Sequence, residues 1–158
     1  MRVLAFDPGY DRLGAAVLEK KNGNEALIYS TCLTSSKSRE LPDRLHEIGL
    51  GIDALLREYT PDAIALETLF FSKNAKTVIG VAEVRGICIF LGKQYGCTVY
   101  EFSPLQIKVA TTGYGKSDKA AMIAMVKRLI KNAPKDAHDD EYDAIAVGLT
   151  TLAVHGSK

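Results

Sequence analysis

The chain opens with three short apolar runs that have the length of β-strands, at positions 1–7, 14–20 and 25–34. Asn22-Gly23 lies between the second and third runs, and this dipeptide is a strong signal for a tight hairpin turn. We therefore expect an antiparallel meander of three strands at the start of the fold.

Helical repeats and short apolar runs alternate through the rest of the chain. Apolar residues recur at helical spacing from Leu41 to Tyr59, and Thr60-Pro61 ends the repeat. The remaining predicted elements are strands at 63–67 and 98–102 and helices at 74–95, 104–112, 118–131 and 139–155. Helices of this length allow parallel crossovers, so the pattern predicts an α/β fold with a mixed five-stranded sheet flanked by helices on both faces.

The predicted helix at 74–95 is apolar around nearly its whole circumference. Such a helix lies in the centre of a core or at an interface between subunits. The longest apolar stretch, 77–92, contains Glu83 and Arg85 and is short for a membrane span. We therefore expect no membrane partner.

Size and composition favour one cytoplasmic domain. The 158 residues suit a sizeable core, so we expect a single domain over residues 1–158. The three cysteines are odd in number and form no Cys-x-x-Cys or zinc pattern, which favours free thiols in a reducing compartment. No signal-peptide pattern opens the sequence, which agrees with a cytoplasmic location.

Positive charge is concentrated in one segment, although the net charge of the chain is only +1. Between positions 104 and 131, six basic residues accompany one acid, so this segment carries +5 and the rest of the chain −4. The segment is either the solvated face of ordinary helices or a binding surface for a polyanion.

Two acidic residues stand at the ends of apolar strands. Asp7 is held extended by Pro8, and Glu67 ends the strand AIALE. Each has an ordinary explanation: an Asp-Pro-Gly turn for Asp7, and a solvent-exposed or arginine-paired position for Glu67. If the two strands are neighbours, however, the two carboxylates lie side by side.

Asp140 and Asp143 lie three residues apart at the start of the last helix and share one face of it. Acids are favourable at a helix N-terminus, but Asp143 adjoins the apolar run 144–149 and so borders the buried face. If all four acids converge, they need positive charge, and oxygen-only ligands select Mg²⁺ or Mn²⁺. A pair of such ions suits phosphodiester hydrolysis, which would give the basic segment a purpose.

Taken together, the motifs resemble the RuvC-type Holliday junction resolvases over essentially the full length of the chain. The matching pieces are FDPG followed by Gly14, ALETLFFSKNA followed by VRG, QIK followed by GYGKSDK, and DEYDAIAV. The resemblance implies a ribonuclease H-like fold and a nucleoid-associated homodimer that cuts four-way DNA junctions symmetrically, leaving 5′-phosphate and 3′-hydroxyl ends. It further implies two Mg²⁺ ions, or Mn²⁺, in each active site, and a branch-migration helicase as partner.

The resemblance also implies functions for individual residues. The four acids would bind the metal ions: Asp7, Glu67, Asp140 and Asp143. Lys108 and Lys119 correspond to lysines that contact DNA and support the chemistry, and Phe70 to an aromatic residue that stacks on bases near the crossover. The helix at 74–95 corresponds to the dimer-forming region.

Several other polar residues have more than one interpretation. Lys73, Asn74 and Lys76 follow the aromatic pair, where solvation and phosphate contact are equally good explanations. Lys116, in the glycine loop, is a weaker candidate for a phosphate contact.

Two histidines and one arginine complete the candidates. His138 is expected to have a loop or capping role, with a contribution to the metal site as the alternative, and His155 is expected to be frayed. Arg85 either pairs on its own helix with neighbours of Glu83 or crosses a subunit interface.

Departures from the family pattern leave other functions open. Leu13 and Ala15 replace a more usual threonine and tyrosine, Glu141-Tyr142 replaces small residues, and Thr151 replaces a histidine. A branched-DNA or flap endonuclease of looser specificity is therefore one alternative, and a non-catalytic junction-binding dimer is another. An actin-like nucleotide-binding domain fits less well, because the sequence lacks a second phosphate-binding glycine loop with its hairpin.

Overall fold

The computed structural model describes residues 1–9, 11–69 and 75–156. Within them, five strands form one sheet in the order β3-β2-β1-β4-β5, and helices cover it. The elements in chain order are β1 (Arg2–Asp7), β2 (Arg12–Lys21), β3 (Asn24–Thr34), α1 (Leu41–Tyr59), β4 (Ala63–Glu67), α2 (Ala75–Gln94), β5 (Thr98–Phe102), α3 (Pro104–Thr112), α4 (Lys119–Leu129) and α5 (Asp139–His155). The predicted elements are confirmed, although β2 begins two residues earlier and α4 ends two residues earlier than expected.

The sheet is mixed, as predicted. The central strand β1 pairs antiparallel with β2 and parallel with β4, and β4 pairs parallel with β5. Strands β2 and β3 form a hairpin whose turn residues Asn22 and Gly23 have φ angles of 52° and 78°. Positive φ at both positions gives the twist that joins two antiparallel strands tightly.

Each face of the sheet carries its own hydrophobic core, because successive residues of a strand point to opposite sides. Val3 and Ala5 of β1 pack with residues of α3, α4 and α5, whereas Leu4 and Phe6 pack with α1 and α2. All four of these β1 side chains are fully buried. Burial on both faces explains why the strand is an unbroken apolar run.

Helix α2 divides its residues between the core and the surface. Val84 and Cys88 are fully buried, whereas Ile79 and Phe90 are 59% and 67% exposed. The nearly all-round apolar character of α2 is thus only partly accounted for by packing on the sheet. Among the described residues, no helix combines the length and the apolar character needed to cross a bilayer.

Candidate functional site

The carboxyl ends of β1 and β4 carry the two strand acids. Phe6 pairs with Leu66 in the parallel register, so the next residues, Asp7 and Glu67, leave the sheet side by side. Asp7 also lies opposite Gly14 of β2 in the antiparallel register. Since the strands are adjacent and parallel, the position of each acid is set by the backbone of the sheet.

Helix α5 reaches this edge of the sheet because Gly14 has no side chain. A Cβ atom on Gly14 would lie 1.8 Å from the carbonyl oxygen of Asp140. Any other residue would push the start of α5 away from β2, since backbone atoms cannot approach a Cβ so closely. Gly14 therefore lets the first turn of α5 lie against the strands that carry the other acids.

The four acids interact electrostatically. Burial raises the pKa of Asp7 to about 7, with further contributions from the negative charges of Asp143, Asp140 and Glu67. Burial and then the charge of Asp143 raise the pKa of Glu67. Burial also raises the pKa of Asp143, against the opposing effect of Lys119. The predicted residues are thus close enough to disfavour each other's ionisation.

Protein cations hold the two helix acids. Arg12 Nε lies 2.9 Å from Asp140 Oδ2, and Lys119 Nζ lies 3.0 Å from Asp143 Oδ2 and 3.3 Å from Asp139 Oδ2. In this arrangement, the described residues contain no group of three or more His, Cys, Asp or Glu side chains gathered to hold a metal ion. To gather four carboxylates around a metal ion, the side chains of Asp140 and Asp143 would have to turn toward Asp7 and Glu67.

The donor set nevertheless fits a hard divalent cation. All four candidate ligands are carboxylates, which suit Mg²⁺ and Mn²⁺. Asp140 Oδ2 is buried and accepts no well-directed hydrogen bond, although Arg12 Nε lies 2.9 Å from it. The raised pKa of Asp7 reflects burial first and then repulsion from the neighbouring acids, and a bound cation would favour the ionised carboxylate against both.

Lys108 lies beside the acids on helix α3. It lines a cavity of about 190 Å³ together with Glu67 and Asp143, and its charge opposes the rise in the pKa of Glu67. A capping box begins α3: the Ser103 side chain accepts from Gln106 N at 3.3 Å, and Ser103 N donates to Gln106 Oε1 at 2.8 Å. This cap fixes the first turn of the helix that presents Lys108.

Lys119 is the first residue of α4, and the residue before it caps that helix. Asp118 Oδ1 accepts a hydrogen bond from Ala121 N at 2.8 Å, which satisfies a backbone donor of the first turn. The cap places Lys119 where it reaches Asp143 on α5. Lys116 is exposed in the preceding loop.

Some of the predicted residues cannot be compared with the structure. Phe70, Lys73 and Asn74 lie outside the described residues, as does the side chain of Lys76. His138 occupies the N-cap position of α5, although its side chain makes no capping hydrogen bond. The expected loop or capping role therefore agrees with the position of His138, but its side chain does not cap the helix.

Two arginines near the acids were not predicted as site residues. Arg12 contacts Asp140, while Arg85 Nε donates to the Glu67 carbonyl at 3.3 Å and its guanidinium pairs with Glu101. Both partners lie on neighbouring strands, β4 and β5, so pairing on its own helix is the wrong interpretation. The VRG motif was the available signal for Arg85; for Arg12 the sequence offered none.

The arrangement of the sheet and the helices defines the class of protein. A mixed five-stranded sheet with helices on both faces and acids at the ends of β1 and β4 and the start of α5 is a ribonuclease H-like fold. A structure of T. thermophilus RuvC in complex with Holliday junction substrate has this fold, with a TM-score of 0.89 to the present chain. The two are 25% identical, over 96% of this chain and 93% of that one.

Sequence comparison narrows the class to one family. The family model for crossover junction endodeoxyribonuclease RuvC matches residues 3–151, and the chain belongs to this family. The RuvC of Thermosipho melanesiensis is 42% identical over 147 residues, covering 93% of this chain and 94% of the relative. That of Caldanaerobacter subterraneus subsp. tengcongensis is 40% identical over 149 residues, covering 94% and 90%.

Proposed function

We propose that this chain is a structure-selective endonuclease that resolves four-way DNA junctions by metal-dependent phosphodiester hydrolysis. The observation that carries the proposal is the meeting of acids from β1, β4 and α5 at one sheet edge, in a chain of the RuvC family. A relative of the same fold is known in complex with Holliday junction substrate. The expected biological setting is homologous recombination and DNA repair.

The acids and lysines of the site divide the chemistry between them. The four carboxylates would hold two Mg²⁺ or Mn²⁺ ions: Asp7, Glu67, Asp140 and Asp143. When bound, such ions activate the attacking water and stabilise the leaving 3′ oxygen. Lys108 and Lys119 adjoin Glu67 and Asp143, where their charges can neutralise the scissile phosphate. Cleavage would leave 5′-phosphate and 3′-hydroxyl ends that a ligase can join.

The basic segment would bind the arms of the junction. Lys116 is exposed beside the site, and its flanking helices α3 and α4 also carry basic residues. Phosphate neutralisation supplies most of the affinity of a protein for DNA, so the +5 charge of residues 104–131 supports this function. We also assign DNA contacts to Phe70, from the family resemblance, and to Lys73, Asn74 and Lys76, from their position in the sequence after the aromatic pair and near Glu67.

A homodimer would place two such sites against two symmetric strands. An apolar groove between α1 and α2 supports this proposal, with Leu50 57% and Phe90 67% exposed on its rim. Exposed apolar surface of this kind is typical of protein interfaces. A branch-migration helicase partner and association with the nucleoid stay predictions, as does a single nuclease domain over 1–158.

Cleavage of a synthetic four-way junction tests the proposal. Each strand is end-labelled in turn, and cutting is compared with Mg²⁺, with Mn²⁺ and with chelator, against a flap and a linear duplex of the same sequence. We expect symmetric, ligatable nicks in the junction only when a divalent cation is present. Asp7→Asn should bind the junction without cutting it, whereas the exposed control Asp136→Asn should cut like the parent chain.

The alternatives give different results in this experiment. Equal cutting of the flap or the duplex would favour the endonuclease of looser specificity. Tight junction binding without cutting under any divalent cation would favour the non-catalytic binder. Either result would reject the proposed function.

A further inference from the structure

Arg12 stands at the first residue of β2 and contacts a candidate metal ligand. Its Nε lies 2.9 Å from Asp140 Oδ2, and the two side chains are 50% and 23% exposed. That oxygen is buried, yet it accepts no well-directed hydrogen bond from the guanidinium. The contact is therefore mainly one of charge, and the half-exposed arginine can turn toward solvent without disturbing the core.

The neighbouring residue fixes the backbone that carries Arg12. The Asp11 carboxylate pairs with Arg44 and with Lys37, the latter at 3.4 Å, and the Asp11 carbonyl accepts from Ser35 N at 3.2 Å. Successive residues of an extended chain point to opposite sides, so anchoring Asp11 directs Arg12 the other way. Arg12 is thus held toward the start of α5.

The second helix acid is paired in a different way. Lys119 contacts Asp143 and Asp139 at 3.0 and 3.3 Å, so it keeps one acidic partner if Asp143 is withdrawn. Among the described residues, Arg12 forms an ion pair only with Asp140. Withdrawing Asp140 would leave Arg12 without an acidic partner, which makes this contact the one that opposes metal entry most.

We propose that Arg12 is a resident counter-charge that occupies Asp140 until a divalent cation displaces it, and that it thereby lowers the metal affinity of the site. The inference rests on the proposed function, because it takes Asp140 as a metal ligand. An oxygen shared between a guanidinium and a divalent cation brings two positive charges together, so metal binding must either break the ion pair or overcome this repulsion.

Direct Mn²⁺ titration of the DNA-free chain tests the inference, with free Mn²⁺ measured by electron paramagnetic resonance at fixed pH and ionic strength. We expect Arg12→Gln to bind Mn²⁺ about tenfold more tightly than the parent chain, because the repulsion between the guanidinium and the bound cation is removed. Lys37→Gln is the matched control, because it also removes one positive charge, but from a lysine between β3 and α1 that contacts Asp11 and not Asp140. It should bind Mn²⁺ within about twofold of the parent, since an exposed charge is screened.

The outcomes separate this inference from the proposed function. Arg12→Lys keeps the charge and should keep the parent affinity, which would show that charge and not bulk opposes the metal. An affinity of Arg12→Gln equal to that of Lys37→Gln, or weaker than that of the parent, overturns the inference while the nuclease proposal stands. Failure of the parent chain and of Arg12→Gln alike to bind Mn²⁺ overturns both. Thermal unfolding in chelator checks that each variant is folded.

Discussion

The strand acids and the helix acids face the same site but are stabilised differently. Within the described residues, Asp7 and Glu67 form no ion pair, and burial together with neighbouring negative charge raises the pKa of both. Asp140 and Asp143 each have a cationic side chain at 2.9 or 3.0 Å. The protein thus supplies ion pairs to the helix acids, whereas Lys108 and Lys119 offset the charge of the strand acids only in part.

The difference follows from how each pair is presented. The ends of β1 and β4 are fixed by the sheet, so Asp7 and Glu67 cannot move apart to relieve their repulsion. The helix acids lie in the first turns of α5, where the helix dipole favours negative charge and β2 and α4 bring arginine and lysine within reach. The electrostatic cost of the site is consequently concentrated on the strand acids, and relief of this cost is what a divalent cation would provide.

The largest expected effects, on cleavage and on the free energy of unfolding, come from neutralising one strand acid, Asp7, and one helix acid, Asp140. Asp7→Asn should reduce junction cleavage by roughly a thousandfold. In chelator at pH 8, it should nevertheless raise the free energy of unfolding by about 1–3 kcal/mol, because a buried repulsive charge is removed. Asp140→Asn should also lose cleavage, but it should lower the free energy of unfolding by about 0.5–1.5 kcal/mol, since it breaks an ion pair at a helix N-terminus.

Urea unfolding of both variants in chelator measures this contrast, with Asp136→Asn as the exposed control. Added Mg²⁺ should stabilise the parent chain more than Asp7→Asn, because the variant lacks a ligand. Loss of stability in Asp7→Asn, comparable to that of Asp140→Asn, would refute the assignment of the repulsion to the strand acids.

The next largest effect is expected in the pH dependence of stability. The pKa of Asp7 is about 7 in the folded protein, against an ordinary value of 3.8. Between these values the unfolded chain has released the proton and the folded chain has kept it, so metal-free stability should fall as the pH rises from about 4 to about 7. The raised pKa values of Glu67 and Asp143 act in the same direction.

Unfolding in chelator at pH 5 and at pH 8 should show a decrease of about 2 kcal/mol for the parent chain. Asp7→Asn should flatten most of this slope. Asp11 acts oppositely, because a hydrogen bond from Arg44 lowers its pKa; its stabilising contribution is lost only as the pH falls below the ordinary range. A rise in the free energy of unfolding of the parent chain from pH 5 to pH 8 would contradict the raised pKa values of the strand acids.

The half of the site that could be predicted from sequence is the half fixed by secondary structure. An acid that ends each of two apolar strands, and two acids on one face of a helix start, are visible as patterns. Asp7 and Glu67 become neighbours once β1 and β4 pair in parallel, and Gly14 marks the place where α5 approaches. The architecture was predictable for the same reason, since apolar runs buried on both faces specify a central sheet.

The cations that pair with the helix acids could not be predicted from the sequence, because these ion pairs depend on tertiary contacts between side chains that are distant in the sequence. Arg12 and Asp140 meet only because β2 and α5 pack closely, and Arg85 reaches Glu67 from the neighbouring helix α2. The expectation that His155 is frayed was wrong for the same reason: its ring stacks on Tyr100 of β5, with 4.0 Å between the ring centroids. Neither hydrophobic periodicity nor motif spacing encodes such contacts.

A smaller effect is expected from substituting Arg85, which donates a hydrogen bond to the backbone carbonyl of the strand acid Glu67. Arg85→Ala removes the hydrogen bond to the Glu67 carbonyl and leaves Glu101 without its cation. We expect the free energy of unfolding to fall by about 1–2 kcal/mol, and cleavage to fall about tenfold because Glu67 is less well positioned. Arg57→Ala is the control: Arg57 is exposed and its pair with Asp53 should contribute little to stability. Equal effects of the two substitutions would argue against a positioning role for Arg85.

The smallest effect tests whether Lys119 compensates the helix acids in the metal-free protein. A double-mutant cycle combines Lys119→Gln with Asp143→Asn, and urea unfolding in chelator measures the four free energies. Because Lys119 is 49% exposed, solvent weakens its 3.0 Å contact with Asp143, and we expect a coupling of only about 0.5 kcal/mol. The corresponding cycle of Lys119→Gln with Asp7→Asn should give a smaller coupling, since Lys119 forms no ion pair with Asp7 among the described residues. A larger coupling to Asp7 than to Asp143 would mean that the lysine serves the strand acids, and the division between the two halves of the site would then be wrong.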